Sequence, residues 1–238
     1  IAAPGQWKDL TAAQLASSYD LIRYHTNYVN DPLVGINAVR AEAAKLGKKI
    51  TFTLYEQPAM DATRFFRKYV PNESYYLHNT NYENTDVDGN GKVDLCASPP
   101  CPISSWNRVR FGTGPSDWDQ RRVLDFRNSI VRSWAKNLLF DLFITPYNFD
   151  GYWQDNPSFS LKRESGGPYI VPPMSNHFAE WLDGQQAWAE EMKAALGTKE
   201  FHWNNLLALH KGNADYATPE WTATKNQVDN FFIEWLGH

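Results

Sequence analysis

Strand-like and helix-like stretches alternate along this chain, and that alternation narrows its fold more than any other property of the sequence. Residues 19–26 (YDLIRYHT) read as a strand. Residues 31–47 (DPLVGINAVRAEAAKLG) follow as an amphipathic helix, with Asp31 near its start and Gly47 just past its end. A second strand is expected over 48–58 (KKITFTLYEQP), rich in Thr, Ile and Phe and closed by Pro58, and a short helix over 61–70. The run 74–80 (SYYLHNT) is strand-like but leads into an irregular polar segment. Residues 121–128 (RRVLDFRN) give a third main strand, followed by a long helix over about 129–143. The fourth strand is 148–156 (NFDGYWQDN), and a strong helix over 176–197 ends at Gly197. Residues 199–205 (KEFHWNN) and 228–238 (VDNFFIEWLGH) supply the fifth and sixth strands.

Parallel strands need a long crossover, normally a helix, so strand–helix repeats at this spacing predict βαβ units and a parallel sheet. Two architectures fit, a (β/α)8 barrel and a doubly wound open sheet. No glycine-rich turn follows the first strand, which disfavours a nucleotide-binding open sheet. The expected fold is therefore α/β of the TIM-barrel type, one catalytic domain over 1–238, incomplete in that six strands are visible where a barrel has eight.

Two stretches interrupt the rhythm: 80–118, rich in Asn, Asp, Gly, Ser and Pro, and 157–175, which holds Gly166-Gly167 and Pro172-Pro173. Long loops in a compact domain are usually functional or mobile, and both follow strand ends, where barrel enzymes build their sites. Inside the first, DVDGNGKVD places Asp86, Asp88 and Asn90 at positions 1, 3 and 5 of an EF-hand-type loop. Gly91 falls at the turn, the Lys92 carbonyl at position 7 and Asp94 at position 9. Hard oxygen donors at alternating positions wrap a Ca²⁺ ion, so a structural calcium is expected. Position 12 is Ala97 instead of a bidentate acid, leaving Glu83 or a water to complete the shell. The two cysteines, Cys96 and Cys101, close CASPPC; with no second Cys/His pair nearby a disulfide is expected rather than zinc, and with it an oxidising compartment. The chain opens at Ile1 with no Met and no signal-like segment, as either a secreted protein numbered from its mature end or a trimmed chain would.

Aromatic residues make up 15% of the chain, with 10 Trp and 12 Tyr. Their flat apolar faces and polar handles suit a groove that stacks on sugar rings, although any single Trp is more often core and only the excess as a whole favours a ring-bearing ligand. Net charge is -4 with basic residues spread evenly, which argues against a nucleic-acid partner, and no apolar run reaches the ~20 residues of a membrane span. No GxSxG elbow and no HxxxH or HxH spacing is present, so serine-hydrolase and histidine-metal chemistry have no support.

Acids, amides and Trp recur where the expected strands finish: Glu56 after the second, Asp125 in the third, Trp153 and Asp155 in the fourth. His202, Trp203 and Asn204 lie on the fifth, and Glu234 and Trp235 end the sixth. A barrel's catalytic face carries such residues. Two carboxyls on a sugar-binding face suit glycoside hydrolysis, where one protonates the leaving oxygen and the other attacks the anomeric carbon. Asp155 and Glu234 are the best pair, two strands apart, each beside a Trp that supplies the apolar surroundings needed to raise a carboxyl pKa. Glu56, Asp125, Trp153, His202, Trp203, Asn204 and Trp235 are the expected carbohydrate-binding residues.

The stretch LDFRNSIVRSWAKNLL together with FDGYWQDN resembles the signature of secreted (β/α)8 glycoside hydrolases of the dextranase-like and α-galactosidase-like barrel families. The resemblance runs over about 19–234, with its specific part in 123–156. It implies Asp155 as the nucleophile and Glu234 as the general acid/base of a retaining enzyme, and Asp150 as a structural residue preceding its strand. The calcium-like insertion and the missing last two strands depart from the family pattern. Two other readings stand beside this one: a non-catalytic carbohydrate-binding or extracellular structural protein on a barrel scaffold, and a calcium-dependent interaction module.

Overall fold

A computed structural model describes residues 10–25, 32–56, 64–81, 95–103, 107–109, 122–154, 178–204 and 230–232. The chain divides into two compact units, one of residues 1–56, 133–157 and 189–238, the other of 57–132 and 158–188.

The first unit is built on a five-stranded sheet: β1 (Leu21–His25), β2 (Thr51–Glu56), β3 (Gly151–Gln154), β4 (Glu200–Asn204) and β5 (Asn230–Phe232). All four pairings are parallel and the spatial order is the sequence order, β1-β2-β3-β4-β5. Sequential order is how a barrel is wound; a doubly wound sheet reverses direction part-way along. Helix α1 (Ala12–Ser18) starts at a capping box in which the Thr11 side chain accepts from the Gln14 amide and the Gln14 side chain accepts from the Thr11 amide. Helix α2 (Pro32–Lys45) ends as expected at Gly47, whose φ of +66° lets the Gly47 and Lys48 amides turn back onto the Ala44 and Ala43 carbonyls.

Strand alternation sorts the sheet into two faces. Ile22, Tyr24, Phe52, Leu54, Tyr152 and Phe201 share one, and it packs against α1 and α2. The Tyr152 and Phe201 rings stack across β3 and β4 with centroids 5.8 Å apart. Gly151 is required by the pairing itself, since a Cβ there would lie 2.6 Å from the Glu200 carbonyl oxygen.

At the amino edge of the sheet, Asp150 joins three elements. Its Oδ2 accepts from the Phe52 amide of β2 at 3.0 Å and from the Arg40 guanidinium of α2 at 3.0 Å. Its own amide donates to the Phe52 carbonyl at 2.8 Å, and its carbonyl accepts from the Glu200 amide at 3.0 Å.

The second unit contains α3 (Arg64–Tyr69), a 3-10 turn (Glu73–Tyr75) and a small backbone knot. Leu77, Val109 and Val123 bond in a ring: the Leu77 amide donates to Val123, the Val123 amide to Val109, and the Val109 amide to Leu77, at 2.8, 3.0 and 2.7 Å. All three side chains are fully buried. Helix α4 (Ser129–Leu139) runs on into a π-helical turn (Phe140–Ile144), and α5 (Phe178–Leu196) precedes β4. Buried Arg132 of α4 donates to the Phe126 and Arg127 carbonyls at 2.7 and 3.0 Å, which orders the turn between the bridge segment and the helix.

The run 121–128, expected as a strand of the parallel sheet, is not one. Residues 122–124 form bridges in the second unit, with Leu124 antiparallel to Tyr76. A short apolar run reports burial but not partner, and Val123, Leu124 and Phe126 are indeed buried. The sheet therefore carries five strands among the described residues in place of the six expected.

Replacing Asp150 by Ala removes the acceptor of a backbone amide and of Arg40. We expect the unfolding free energy to fall by about 1–3 kcal/mol, read as a lower midpoint in urea titrations followed by tryptophan fluorescence.

Candidate functional site

Parallel strands covered on both sides usually read as continuous apolar runs. The face of the sheet turned away from α1 and α2 departs from this. It carries Arg23 of β1, Thr53 and Tyr55 of β2, Trp153 of β3, and Glu200 and His202 of β4. Tyr55, Trp153 and His202 stand in one cross-strand row, with Arg23 and Thr53 in the row nearer the amino edge.

Trp153 organises this face. Its indole stacks on the His202 imidazole with centroids 5.0 Å apart and planes 16° from parallel. From the β1 side, the Arg23 guanidinium lies 4.5 Å from the indole centroid and 5.8 Å from that of Tyr55. Such cation–π contacts strengthen when desolvated, and Arg23 is 8% exposed. His202 is 4% exposed; its Nε2 lies 2.7 Å from Glu200 Oε2, and its Nδ1 has no hydrogen-bond partner among the described residues. A neutral imidazole so placed donates from Nε2 to the carboxylate and keeps the Nδ1 lone pair as an acceptor.

The expected site residues divide. Trp153 and His202 do come together, but both faces of the indole are occupied by protein groups. Trp153 is therefore part of the packed wall of this face and is not a bare plane for a sugar ring. Glu56 and Gln154 end β2 and β3 as cross-strand partners, both fully buried at the carboxyl edge. By alternation they belong to the face of Leu54 and Tyr152, opposite to Trp153. Trp203 and Asn204 pair through their backbones with Phe231 and Phe232; their side chains lie outside the described set, as do Asp155, Glu234, Trp235 and the calcium-like residues Asp86, Asp88, Asn90, Lys92 and Asp94. Asp125, expected at the end of a sheet strand, instead sits in the second unit as the acceptor of a fork from Arg127, with Nε–Oδ1 2.8 Å and Nη2–Oδ2 2.9 Å.

Sequence reasoning passed over Arg23, Thr53, Tyr55 and Glu200. Their signal was present in the alternation of Arg23 with Ile22 and Tyr24, and of Glu200 and His202 with Phe201. Polar residues at every second position of a strand in a parallel sheet mark one face as something other than helix-covered core.

The second unit holds the shifted titrations. Arg127 is raised above its ordinary value by its hydrogen bonds to Asp125, with burial opposing and Glu180, 3.0 Å away, assisting. Glu73 accepts a fork from Arg108 and a contact from His78 Nε2 at 2.9 Å, and the Arg108 guanidinium lies 4.2 Å over the Tyr76 ring. The Arg108 hydrogen bonds hold the Glu73 carboxyl below its ordinary value against the opposing effect of burial. Nearby, Cys96 and Cys101 form a disulfide. The Cys96 amide donates to the Asn81 carbonyl and the Cys101 amide to the Thr80 carbonyl, both at 2.8 Å. The chain on either side of 82–94 is thus tied together at its base.

No protein-family model matches the chain, and no curated protein matches it. Solved structures do. An alpha-galactosidase from Thermus thermophilus, in complex with p-nitrophenyl alpha-D-galactopyranoside, is 14% identical with a TM-score of 0.47, over 81% of this chain and 33% of that one. A GH36 alpha-galactosidase from Geobacillus stearothermophilus in complex with stachyose is 11% identical with a TM-score of 0.49, over 93% of this chain and 27% of that one. An alpha-galactosidase from Lactobacillus brevis is 12% identical with a TM-score of 0.42, over 81% and 23%. The chain spans a third or less of the length of these structures. Likeness at this level leaves activity to be argued from the chain's own residues.

A carboxylate with a lowered folded-state pKa stabilises the fold at pH values above its unfolded-state pKa. That contribution fades as pH falls through the lowered value. Glu73→Gln should therefore lower the thermal midpoint at pH 7, and the gap to the parent protein should close on acidification below the ordinary glutamate range. Thermal scans of both proteins from pH 7 to pH 3 measure it; a gap independent of pH would contradict the assignment.

Proposed function

We propose that this chain is the carbohydrate-binding and catalytic region of a retaining glycoside hydrolase, with Asp155 as nucleophile and Glu234 as general acid/base. One observation carries the reading. The sheet is parallel and wound in sequence order, its helix-distal face bears Arg, Thr, Tyr, Trp, Glu and His, and β3 and β5 leave it at the same edge, at Gln154 and Phe232. Asp155 follows Gln154 directly and Glu234 follows Phe232 by two residues, so chain connectivity favours both acids at the carboxyl edge that parallel α/β enzymes use. His202, fixed by Glu200, is the proposed acceptor for a substrate hydroxyl, and Trp203, Asn204 and Trp235 are proposed to line the same edge; Glu56, fully buried on the opposite face, is not among them.

Turnover should be sought first on p-nitrophenyl alpha-D-galactopyranoside and stachyose, then on a wider panel of oligo- and polysaccharides. With the substrate found, Asp155→Asn should abolish turnover, and Glu234→Gln should lower kcat by about 10²–10⁴-fold. Binding and fold should be unchanged in both. A parent protein that binds sugars without turnover would support the non-catalytic reading, and full activity in Asp155→Asn would refute the nucleophile assignment.

We further propose that Asp86, Asp88, Asn90, Asp94 and the Lys92 carbonyl hold a structural Ca²⁺, and that the protein works in an oxidising, extracellular setting. The Cys96–Cys101 disulfide and the hydrogen bonds tying Thr80 and Asn81 to it support both proposals. Chelation with EGTA should lower the thermal midpoint and added Ca²⁺ should restore it, with Asp88→Ala insensitive to either. Mg²⁺ restoring the parent equally well would count against a calcium site.

A further inference from the structure

The face of the sheet covered by α1 and α2 is not completely filled. Between the two helices lies an apolar cavity of about 130 Å³. Ile22, Tyr24 and Phe52 form its floor, and Leu15 of α1 with Ile36 and Val39 of α2 form its walls; all six are buried. Around the mouth Leu10, Ala12 and Ala38 are half-buried and Gly35 is exposed. Among the described residues, no charged side chain lines it.

Gly35 is the informative residue. A glycine within a helix destabilises it relative to alanine. The two common reasons for keeping one, a left-handed backbone and a close neighbour, do not apply. Its φ is not positive, and a Cβ built there meets no atom within 4 Å. What the glycine does at this position is keep a side chain off the mouth. Both flanking helices are also anchored, so the space cannot easily collapse. Arg40 ties α2 to the Asn148 carbonyl and to Asp150. The capping box fixes the start of α1, and Lys48 reaches the Ser17 carbonyl and Asp20 at its end.

We propose that this cavity is a binding site for a small apolar molecule of about benzene's size. In another protein, an engineered cavity of similar volume and lining stays dry and takes up benzene or xenon. A polyhydroxylated ligand would leave its hydroxyls unpaired here, so the site is independent of the proposed glycosidase face across the sheet and stands or falls separately.

Benzene is titrated into the protein while the Ile22 and Ile36 methyls are followed by NMR and unfolding is followed thermally. Galactose serves as the polar control, and Gly35→Leu and Ala38→Leu as closed forms. Benzene should shift both methyls saturably and raise Tm by roughly 3–6 °C at ten times its Kd. Galactose should do neither, and each closed form should weaken benzene binding about tenfold or more. Unmoved methyls and Tm in the parent protein would overturn the site, even if the closed forms are more stable, since the space would then be only a void. An equal response to galactose, or undiminished affinity in both folded variants, would overturn it as well. Should the variants not fold, the contrast of benzene with galactose in the parent protein decides.

Discussion

Everything placed on this sheet depends on how its strands are held in register at the amino edge, and one carboxylate does much of that. Asp150 accepts the first amide that β2 offers it and receives Arg40 from α2 on the same oxygen, while its backbone joins β2 on one side and β4 on the other. A one-residue slip in any of these strands would exchange the two faces. Trp153 and His202 would then turn toward the helices, and Tyr152 and Phe201 away from them. The polar face is therefore a consequence of register, set some distance along the strands from where the chain emerges at Gln154.

That face is also tied together across β1, β3 and β4. The Arg23–Trp153–His202 stack uses both sides of the indole, and Glu200 engages the far nitrogen of the imidazole. Burying a guanidinium and an imidazole is expensive unless both are satisfied. A fold that needed only a core could have filled these positions with Val and Ile. The expenditure makes sense if the layer fixes the orientation of groups that meet a ligand above it.

Much of this was legible beforehand, for physical reasons that differ by element. α2 and α5 announced themselves through their C-terminal glycines, Gly47 and Gly197, both of which take the positive φ their positions implied, whereas α1 with its capping box was passed over. β1 to β4 were readable because each is a short apolar run beside a helix of the right length. The run 121–128 misled because Val123, Leu124 and Phe126 are buried by Tyr76 and by Trp188, whose ring centroid lies 4.7 Å from that of Phe126. Nothing in eight residues says which apolar surface will cover them. On the polar face, Trp153 and His202 drew notice because they lie where the expected strands finish. Arg23 and Glu200 were missed because a charged residue inside a strand looks like an error until the alternation of both faces is traced. Trp153 was misread in the other direction, since aromaticity says nothing about whether a ring's faces are already taken.

The pinned base at Thr80, Asn81, Cys96 and Cys101 has a further consequence. Because the chain departs and returns at neighbouring points, the two ends of this stretch are held together whatever its length. Loop-closure entropy grows only slowly, by about 0.6 kcal/mol for each doubling of length. With its ends pinned in this way, the length of the stretch between Asn81 and Leu95 can vary at little cost in closure entropy.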